Sequence, residues 1–489
     1  MIKSTKAVSF VIVLHALCAG TMLHGEEESS IIRIDIGHTT KADLRIGAAG
    51  ANLCWLLDSD RGQQRSTSMS KAIDELGCGS LRFPYGHLAD NYLWHTAPFN
   101  DTAGGLRPTI ATSSQAPGEW EWAVEPDGSF RSAMDFDEYM SLCDRLAIKP
   151  LVVINALSWK YKNGPSYEQL RQTAVEWVKY AKQKHYKVAY WQIGNEVDHH
   201  HDLLSQEQYV KLYVDFASAM KEVDPTIRTG PGILSSTGYF KSIVSQAPNL
   251  IDFVSCHQYM YPYQNDCANY SLWKNCTDRF VRNIQRMQVA VSESSKPAME
   301  ILVTESGVSP SNDKLGKINN TYKALWWAEV LMNLLTTKNV SYVYYWGTHS
   351  PWGGPQDNDD EDVSVLLRVD DNSRKPTGEI LRIVNSNLLD RMVDAPRVSG
   401  TVRTYATTNH SGTKLNLFLL NKNDDAEQVT VKLKNDFAES RLFDRMVFSG
   451  ESPEDRSPKI DKQATISERA NTIQLRLPPL SITVLRQLN

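Results

Sequence analysis

The sequence predicts an α/β protein, a (β/α)8 barrel followed by a C-terminal all-β sandwich. Three observations predict it. Eight apolar runs with little alternation lie before residue 350, most of them separated by helical periodicity, the pattern of parallel strands covered on both faces. Beyond residue 396 the pattern changes to short alternating segments with polar turns between them, as in a sandwich. The length of 489 residues suits one large domain with a small one appended.

Taken in order, the chain opens with Lys3 and Lys6, an apolar stretch over 7–18 and small residues up to Gly25, ahead of Glu26-Glu27-Glu28. Basic, apolar and small segments in that order are what a secretory signal needs, and the apolar part is too short to span a bilayer. Residues 1–25 are therefore set aside as a signal peptide, and a secreted or periplasmic protein is expected. The alternating segment 30–37 reads as an edge strand able to pair with the C-terminal domain. Barrel strands are expected at 44–52, 80–84, 150–155, 188–195, 226–231, 251–257, 300–304 and 341–346. Helices are expected at 69–76, 134–146, 167–183, 205–225, 279–291 and 325–335, with a closing helix at 378–385. Ser205 with Gln208 three residues on is a capping-box pattern, and Pro225 ends that helix. The polar stretch 100–132 reads as a long functional loop inserted in the barrel. The domain boundary falls near Asp394-Ala395-Pro396, giving a barrel over 26–395 and a sandwich over 396–489 with strands at 401–407, 414–421, 427–433, 471–477 and 481–486.

Apolar content of 41% and charged content of 22% support a sizeable core. The net charge of -5, without a basic stripe, argues against a nucleic-acid surface. After residue 25 no segment is long and apolar enough to cross a membrane. Of the cysteines that remain, Cys267 and Cys276 lie close together in a polar loop and are the candidate disulfide. Cys54, Cys143 and Cys256 fall inside apolar patterns and read as small buried hydrophobes. No Cys/His spacing resembles a zinc site, so neither metal nor cofactor is expected.

Barrels carry their chemistry on the loops that follow the strands. The fourth strand ends in Asn195-Glu196, and the seventh runs into Glu305-Ser306-Gly307. Two carboxylates at one barrel mouth suit glycosidic bond cleavage, where one protonates the leaving oxygen and the other attacks the anomeric carbon. Their surroundings can separate their acidities for the two roles. Two other clusters point elsewhere. Consecutive residues do not converge on one ion, so Asp198-His199-His200-His201-Asp202 reads as a solvated loop at the mouth. The acidic run 357–362 lacks the spaced ligands and the glycine of a calcium loop.

The segments Tyr190-Trp191-Gln192-Ile193-Gly194-Asn195-Glu196 and Val303-Thr304-Glu305 resemble the acid/base and nucleophile strands of clan A glycoside hydrolases. Leu81-Arg82-Phe83-Pro84-Tyr85-Gly86-His87, with Asn91-Tyr92-Leu93-Trp94 and Leu106-Arg107-Pro108 downstream, is similar to the second-strand region of family 51 α-L-arabinofuranosidases; families 39 and 79 share features with it. The resemblance implies a (β/α)8 barrel that retains anomeric configuration, with Glu196 as general acid/base and Glu305 as nucleophile. It further implies that Asn195 bonds the hydroxyl beside the reacting carbon, that Arg82 keeps Glu305 ionised, and that His257 and Tyr259 are supplied by the sixth strand, Tyr259 bonding the nucleophile. The family pattern has two glycines after the Pro of the second strand. Here the first is Tyr85, a phenol that would narrow the pocket or offer a stacking face. Trp346, Trp94, Trp55 and Trp352 are candidate platforms for sugar rings, while Trp191 and Trp327 read as core.

The expected function is a secreted retaining glycosidase acting on an oligosaccharide or polysaccharide, within which an α-L-arabinofuranosidase is one reading. An endo-acting hydrolase of a sulfated or uronic-acid polysaccharide is the alternative, and it would need an open cleft lined with Lys and Arg. A non-catalytic carbohydrate-binding protein on a dead barrel is the alternative from another class.

Overall fold

The computed structural model describes residues 30–61, 64–94, 100–101, 105–106, 109–110, 133–162, 164–260, 269–308, 318–350, 365–396, 400–434 and 441–488. The expected signal segment, most of the insertion 100–132, the acidic run 357–362, Trp352 and Cys267 lie outside these residues. Cys276 is disulfide-bonded, and Cys54, Cys143 and Cys256 are free and buried.

Eight parallel strands form the barrel: Ala49–Asn52, Ser80–Phe83, Lys149–Ile154, Tyr190–Ile193, Thr229–Pro231, Phe253–Met260, Glu300–Val308 and Val340–Tyr345. Consecutive strands pair in parallel from the first to the fifth and from the sixth to the eighth, and the eighth returns to pair with the first. A bridge between Gly232 and Ser255 joins the fifth strand to the sixth and closes the ring. Side chains alternate across the strands, as the pleat requires. In the second strand Leu81 and Phe83 face the surrounding helices, whereas Ser80 bonds Tyr344 inside the barrel and Arg82 reaches the mouth.

The interior is layered. At the end opposite the mouth, Glu300 pairs with Arg45 at 2.9 Å and Arg228 at 2.5 Å. Above it lies an apolar layer of Leu151, Val153, Tyr190, Phe253, Leu302, Tyr342 and Tyr344. The side chains that could carry chemistry gather at the C-terminal ends of the strands, above this layer. The barrel is therefore a filled core with one reactive end.

Helices Met69–Leu76, Phe136–Arg145, Tyr167–Gln183, Gln206–Val223, Arg282–Ser292, Thr321–Leu335 and Pro376–Asn387 cover the outside. The expected capping box at Ser205 and Gln208 forms, as does another at Ser166 and Gln169. Helix Thr237–Gln246 was not expected; it follows a three-residue strand, and together they read as one loop. Helix Thr321–Leu335 is buried on every side, because the barrel covers one face and the second domain the other.

That second domain is a nine-stranded β-structure in which Ser30–Lys41 pairs antiparallel with Arg391–Asp394 and parallel with Glu427–Lys434. Strand Leu415–Asn421 shows why it docks. Leu415, Leu417 and Leu419 enter the sandwich core, while Phe418 and Leu420 enter the cluster shared with the barrel helices. Sequence pattern missed the short strand Arg391–Asp394 and, further on, two strands, Leu442–Ser449 and Lys459–Ser467. The last of these is exposed along nearly its whole length, so it has no apolar face to betray it.

Charge as well as apolar area holds the two domains together. Glu329, 1% exposed, accepts from Arg403 of the sandwich at 2.6 Å. It also pairs with Lys422 at 3.1 Å and accepts from the Trp273 indole at 2.9 Å. Burial lowers the Lys422 ammonium to about 8 although Glu329 pulls the other way. A buried charge stripped of its partner is costly. Glu329→Ala, which strands two cations, is expected to lower the unfolding free energy by about 3–5 kcal/mol, read from denaturant unfolding; a loss under about 1 kcal/mol would show that the cluster relaxes into solvent.

Candidate active site

The mouth is organised by Arg82, which is fully buried. Its Nη1 donates to Glu305 Oε1 at 2.8 Å and to Asn52 Oδ1 at 2.7 Å. Its Nη2 donates to Asn195 Oδ1 at 2.6 Å, and its Nε to Gln192 Oε1 at 3.2 Å. One guanidinium thus gathers the ends of the first, fourth and seventh strands.

Glu305 reaches this point through a bulge. Cys256 faces Val303 and His257 faces Glu305, so Thr304 is an extra residue in the seventh strand. Leu302 points into the barrel and Val303 out of it, and strict alternation would send Glu305 out with Val303. The added residue restores it to the inside. There its Oε2 accepts from the Tyr259 hydroxyl at 2.7 Å. Gly86 completes the enclosure: a Cβ there would lie 2.3 Å from Glu305 Oε1, so only glycine lets the backbone pass.

Glu196 follows the fourth strand with a left-handed φ of 43°. Its Oε1 lies 2.7 Å from His257 Nδ1, and that nitrogen is 3.4 Å from Glu305 Oε2. Glu196, His257 and Glu305 each bring one atom within 4.8 Å of the others. Such a trio has the donor set for a cation, but Arg82 already supplies positive charge at 2.8 Å and would repel one.

The two carboxyls differ in their surroundings. Burial raises the Glu305 carboxyl above its usual range, with the His257 and Arg82 charges opposing it. Burial also acts upward on Glu196, but the His257 hydrogen bond and charge, with His199 and Arg82, outweigh it and hold that carboxyl below its usual range. The glutamate side chain of Glu196 is 20% exposed against 2% for Glu305. Among the described residues, Asn195 Nδ2 and His257 Nε2 are buried without a hydrogen-bond partner.

The expected aromatic residues divide. Trp346 is half-buried at the mouth, 6.2 Å from the Tyr259 ring and 6.1 Å from His87, on which it stacks. Tyr85, expected as a pocket wall or stacking face, is fully buried. Its hydroxyl donates to the His349 carbonyl at 3.1 Å and its ring backs Trp346 at 4.8 Å, so it props the indole from behind. Trp94 is corrected as well. It packs on Trp177 at 5.5 Å and donates to the Thr173 carbonyl at 3.0 Å, outside the barrel, because the chain after the second strand folds back over the helices. Trp55 is likewise buried, against Tyr92 at 5.0 Å. Trp191 and Trp327 are core.

Sequence reasoning missed Asn52, Gln192 and His87. Asn52 donates to the Thr304 and Tyr345 carbonyls at 3.0 and 2.9 Å, stitching the first strand to the seventh and eighth. Reading strand ends for amides as well as carboxylates would have found it. Burial lowers His87 to about 4, so it stands neutral beside Trp346.

A barrel with an appended sandwich is a fold that this chain shares with solved glycoside hydrolases. Among these, the chain is similar to family 51 α-L-arabinofuranosidases. The model of the α-L-arabinofuranosidase 1 domain matches residues 72–278. An intracellular exo-α-(1→5)-L-arabinofuranosidase of Acetivibrio thermocellus is 20% identical over 43% of this chain and 42% of its own length. The chain thus matches about two fifths of that relative. Among solved structures, the Thermotoga maritima α-L-arabinofuranosidase arabinose complex superimposes with a TM-score of 0.69 at 15% identity, covering 94% of this chain and 99% of that one. A Paenibacillus polymyxa xyloglucanase of family 44 does so at 0.62 and 13% identity over 94% and 99%.

Removing the Arg82 charge should raise the Glu305 carboxyl further, since Arg82 opposes the effect of burial. In Arg82→Met the carboxyl is expected to titrate at higher pH than in the parent, followed by 13C NMR of labelled glutamate; an unmoved titration would mean that His257 and Tyr259 alone set it.

Proposed function

We propose that the protein is a retaining glycoside hydrolase acting on α-L-arabinofuranosides, with Glu305 as nucleophile and Glu196 as general acid/base. The observation that carries this reading is that one oxygen of each carboxyl lies within 4.8 Å of the other, close enough for the shorter of two known spacings. A separation of about 5–5.5 Å marks retaining enzymes, whereas inverting enzymes hold theirs about 6.5–9.5 Å apart to admit a water. In the first step Glu305 attacks the anomeric carbon and Glu196 gives its proton to the leaving oxygen. In the second, Glu196 takes a proton from water, which displaces Glu305 and returns the sugar with its original configuration.

The shifts in the free protein run against these roles, since Glu196 is held low and Glu305 high. Substrate reverses the balance. A bound sugar would cover the exposed part of Glu196 and raise its carboxyl by desolvation, while Arg82 and Tyr259 stay on Glu305 and favour its charge. Asn195 Nδ2 is then free to donate to the hydroxyl beside the reacting carbon, a bond that strengthens as positive charge develops there.

The arabinofuranoside assignment rests on the family model and on the curated relatives. Fold alone does not choose the sugar, as the likeness to a xyloglucanase makes plain. Arg82, fully buried, gives four of its five N–H groups to Asn52, Gln192, Asn195 and Glu305, so its charge serves the nucleophile and its neighbours, which favours a neutral sugar over an acidic polysaccharide. A dead barrel would lack a carboxylate at one of the two strand ends, and both are present. The basic, apolar and small order of residues 1–25 supports an exported enzyme.

Glu305→Ala is expected to cut hydrolysis of 4-nitrophenyl α-L-arabinofuranoside by on the order of 10³-fold or more, and azide should restore product as the glycosyl azide. The parent's first product, followed by 1H NMR, should keep its anomeric configuration. Unchanged activity in the variant, or an inverted first product, would refute the proposal.

A further inference from the structure

Asp198 stands two residues after Glu196 and takes no direct part in the chemistry above. Its Oδ1 accepts from the Leu234 N–H at 2.6 Å, and its Oδ2 from the Ser235 and Ser236 N–H groups at 3.0 and 2.8 Å. A carboxylate that takes three backbone donors from a loop on the next strand is a structural clamp. Ser236 precedes helix Thr237–Gln246 and caps it with no side-chain bond of its own, so Asp198 also supplies that helix with its N-terminal anion.

The clamp closes a ring. The Leu234 carbonyl accepts from the His257 N–H at 2.9 Å, and the His257 side chain is the partner of Glu196 at 2.7 Å. From Glu196 the path therefore runs along the chain to Asp198, across to Leu234, across again to His257, and back to Glu196. Around it the fourth and fifth strand ends are tied by Val197 N–H to the Gly232 carbonyl at 3.1 Å and by Gly232 N–H to the Ile193 carbonyl at 3.1 Å. A Cβ on Gly232 would fall 1.9 Å from the Gly194 carbonyl oxygen, so this approach leaves no slack. Glu196 itself holds a backbone conformation that L residues avoid, and such a conformation persists only where the surroundings over-determine it.

We infer that Asp198 is a positioning residue for the reaction: by clamping the Glu196 loop to Leu234 it sets the distance between Glu196 and His257 and so the aim of the proton donor. This rests on Glu196 being the general acid/base. Asp198→Asn keeps the size but turns an N–H₂ toward backbone donors, and it cannot serve both halves of the clamp.

The test uses the full chain and a series of aryl α-L-arabinofuranosides whose leaving groups run from 2,4-dinitrophenol to phenol. A misaimed acid matters only where the leaving group needs a proton. Asp198→Asn and Asp198→Ala should therefore lose kcat/KM on the phenyl substrate by at least about tenfold more than on the dinitrophenyl one, within the span that general acid catalysis supplies. Thermal unfolding of each variant shows that it is folded, and the Asn form carries the test where the Ala form is not. A loss that is equal across the series, or none, would overturn the inference. Glu196→Ala, run in parallel, should show the same leaving-group dependence more steeply. A steep Glu196→Ala series with a flat Asp198 series removes only the positioning role. A flat Glu196→Ala series removes the acid/base reading and this one with it.

Discussion

A single buried guanidinium is the constraint on which the rest of the molecule depends. A charge with no exposure survives only where partners surround it, and Arg82 gives four of its five N–H groups to Asn52, Gln192, Asn195 and Glu305. These groups come from strands far apart in the chain. Closing the barrel and assembling the site are for that reason one event: a barrel that failed to close would strand the cation, and a displaced Arg82 would leave Glu305 with less to offset its burial.

The filling of the barrel makes this arrangement possible. Glu300 with Arg45 and Arg228 seals the far end, an apolar layer fills the middle, and the reactive carboxylates stand at the mouth. Low polarity below the site strengthens each hydrogen bond within it. On the outside, the sandwich meets helix Thr321–Leu335 through Arg403, Tyr405 and Lys422, which bond Glu329 and Asn333 along it. The second domain thus completes the burial of the shell that carries the seventh and eighth strands, and the Glu329 cluster fixes where it sits.

The loop after the fourth strand shows how little of such a site is local. Glu196 is held by His257 from the sixth strand, and its loop by Leu234 from the fifth. Read along the chain, Asp198 belongs to a run of histidines that suggests a metal or a solvated turn. Read in space, it belongs to the backbone of its neighbour.

What the sequence by itself determined is what depends on spacing: eight strands, the helices between them, the change to a sandwich, and two glutamates each at a strand end. Strand ends can be read because apolar runs stop where the barrel stops, and function collects there. What only the tertiary structure decided is direction. Tyr85 and Trp94 stand near strand ends as Trp346 does, yet only Trp346 turns to the mouth; Tyr85 goes behind it and Trp94 over the outer helices. Glu305 itself faces inward only because Thr304 is an extra residue. Spacing is written along one chain, but a side chain's direction depends on register with the next strand and on bulges that a partner strand defines. Two-fold alternation cannot report them until that partner is in place.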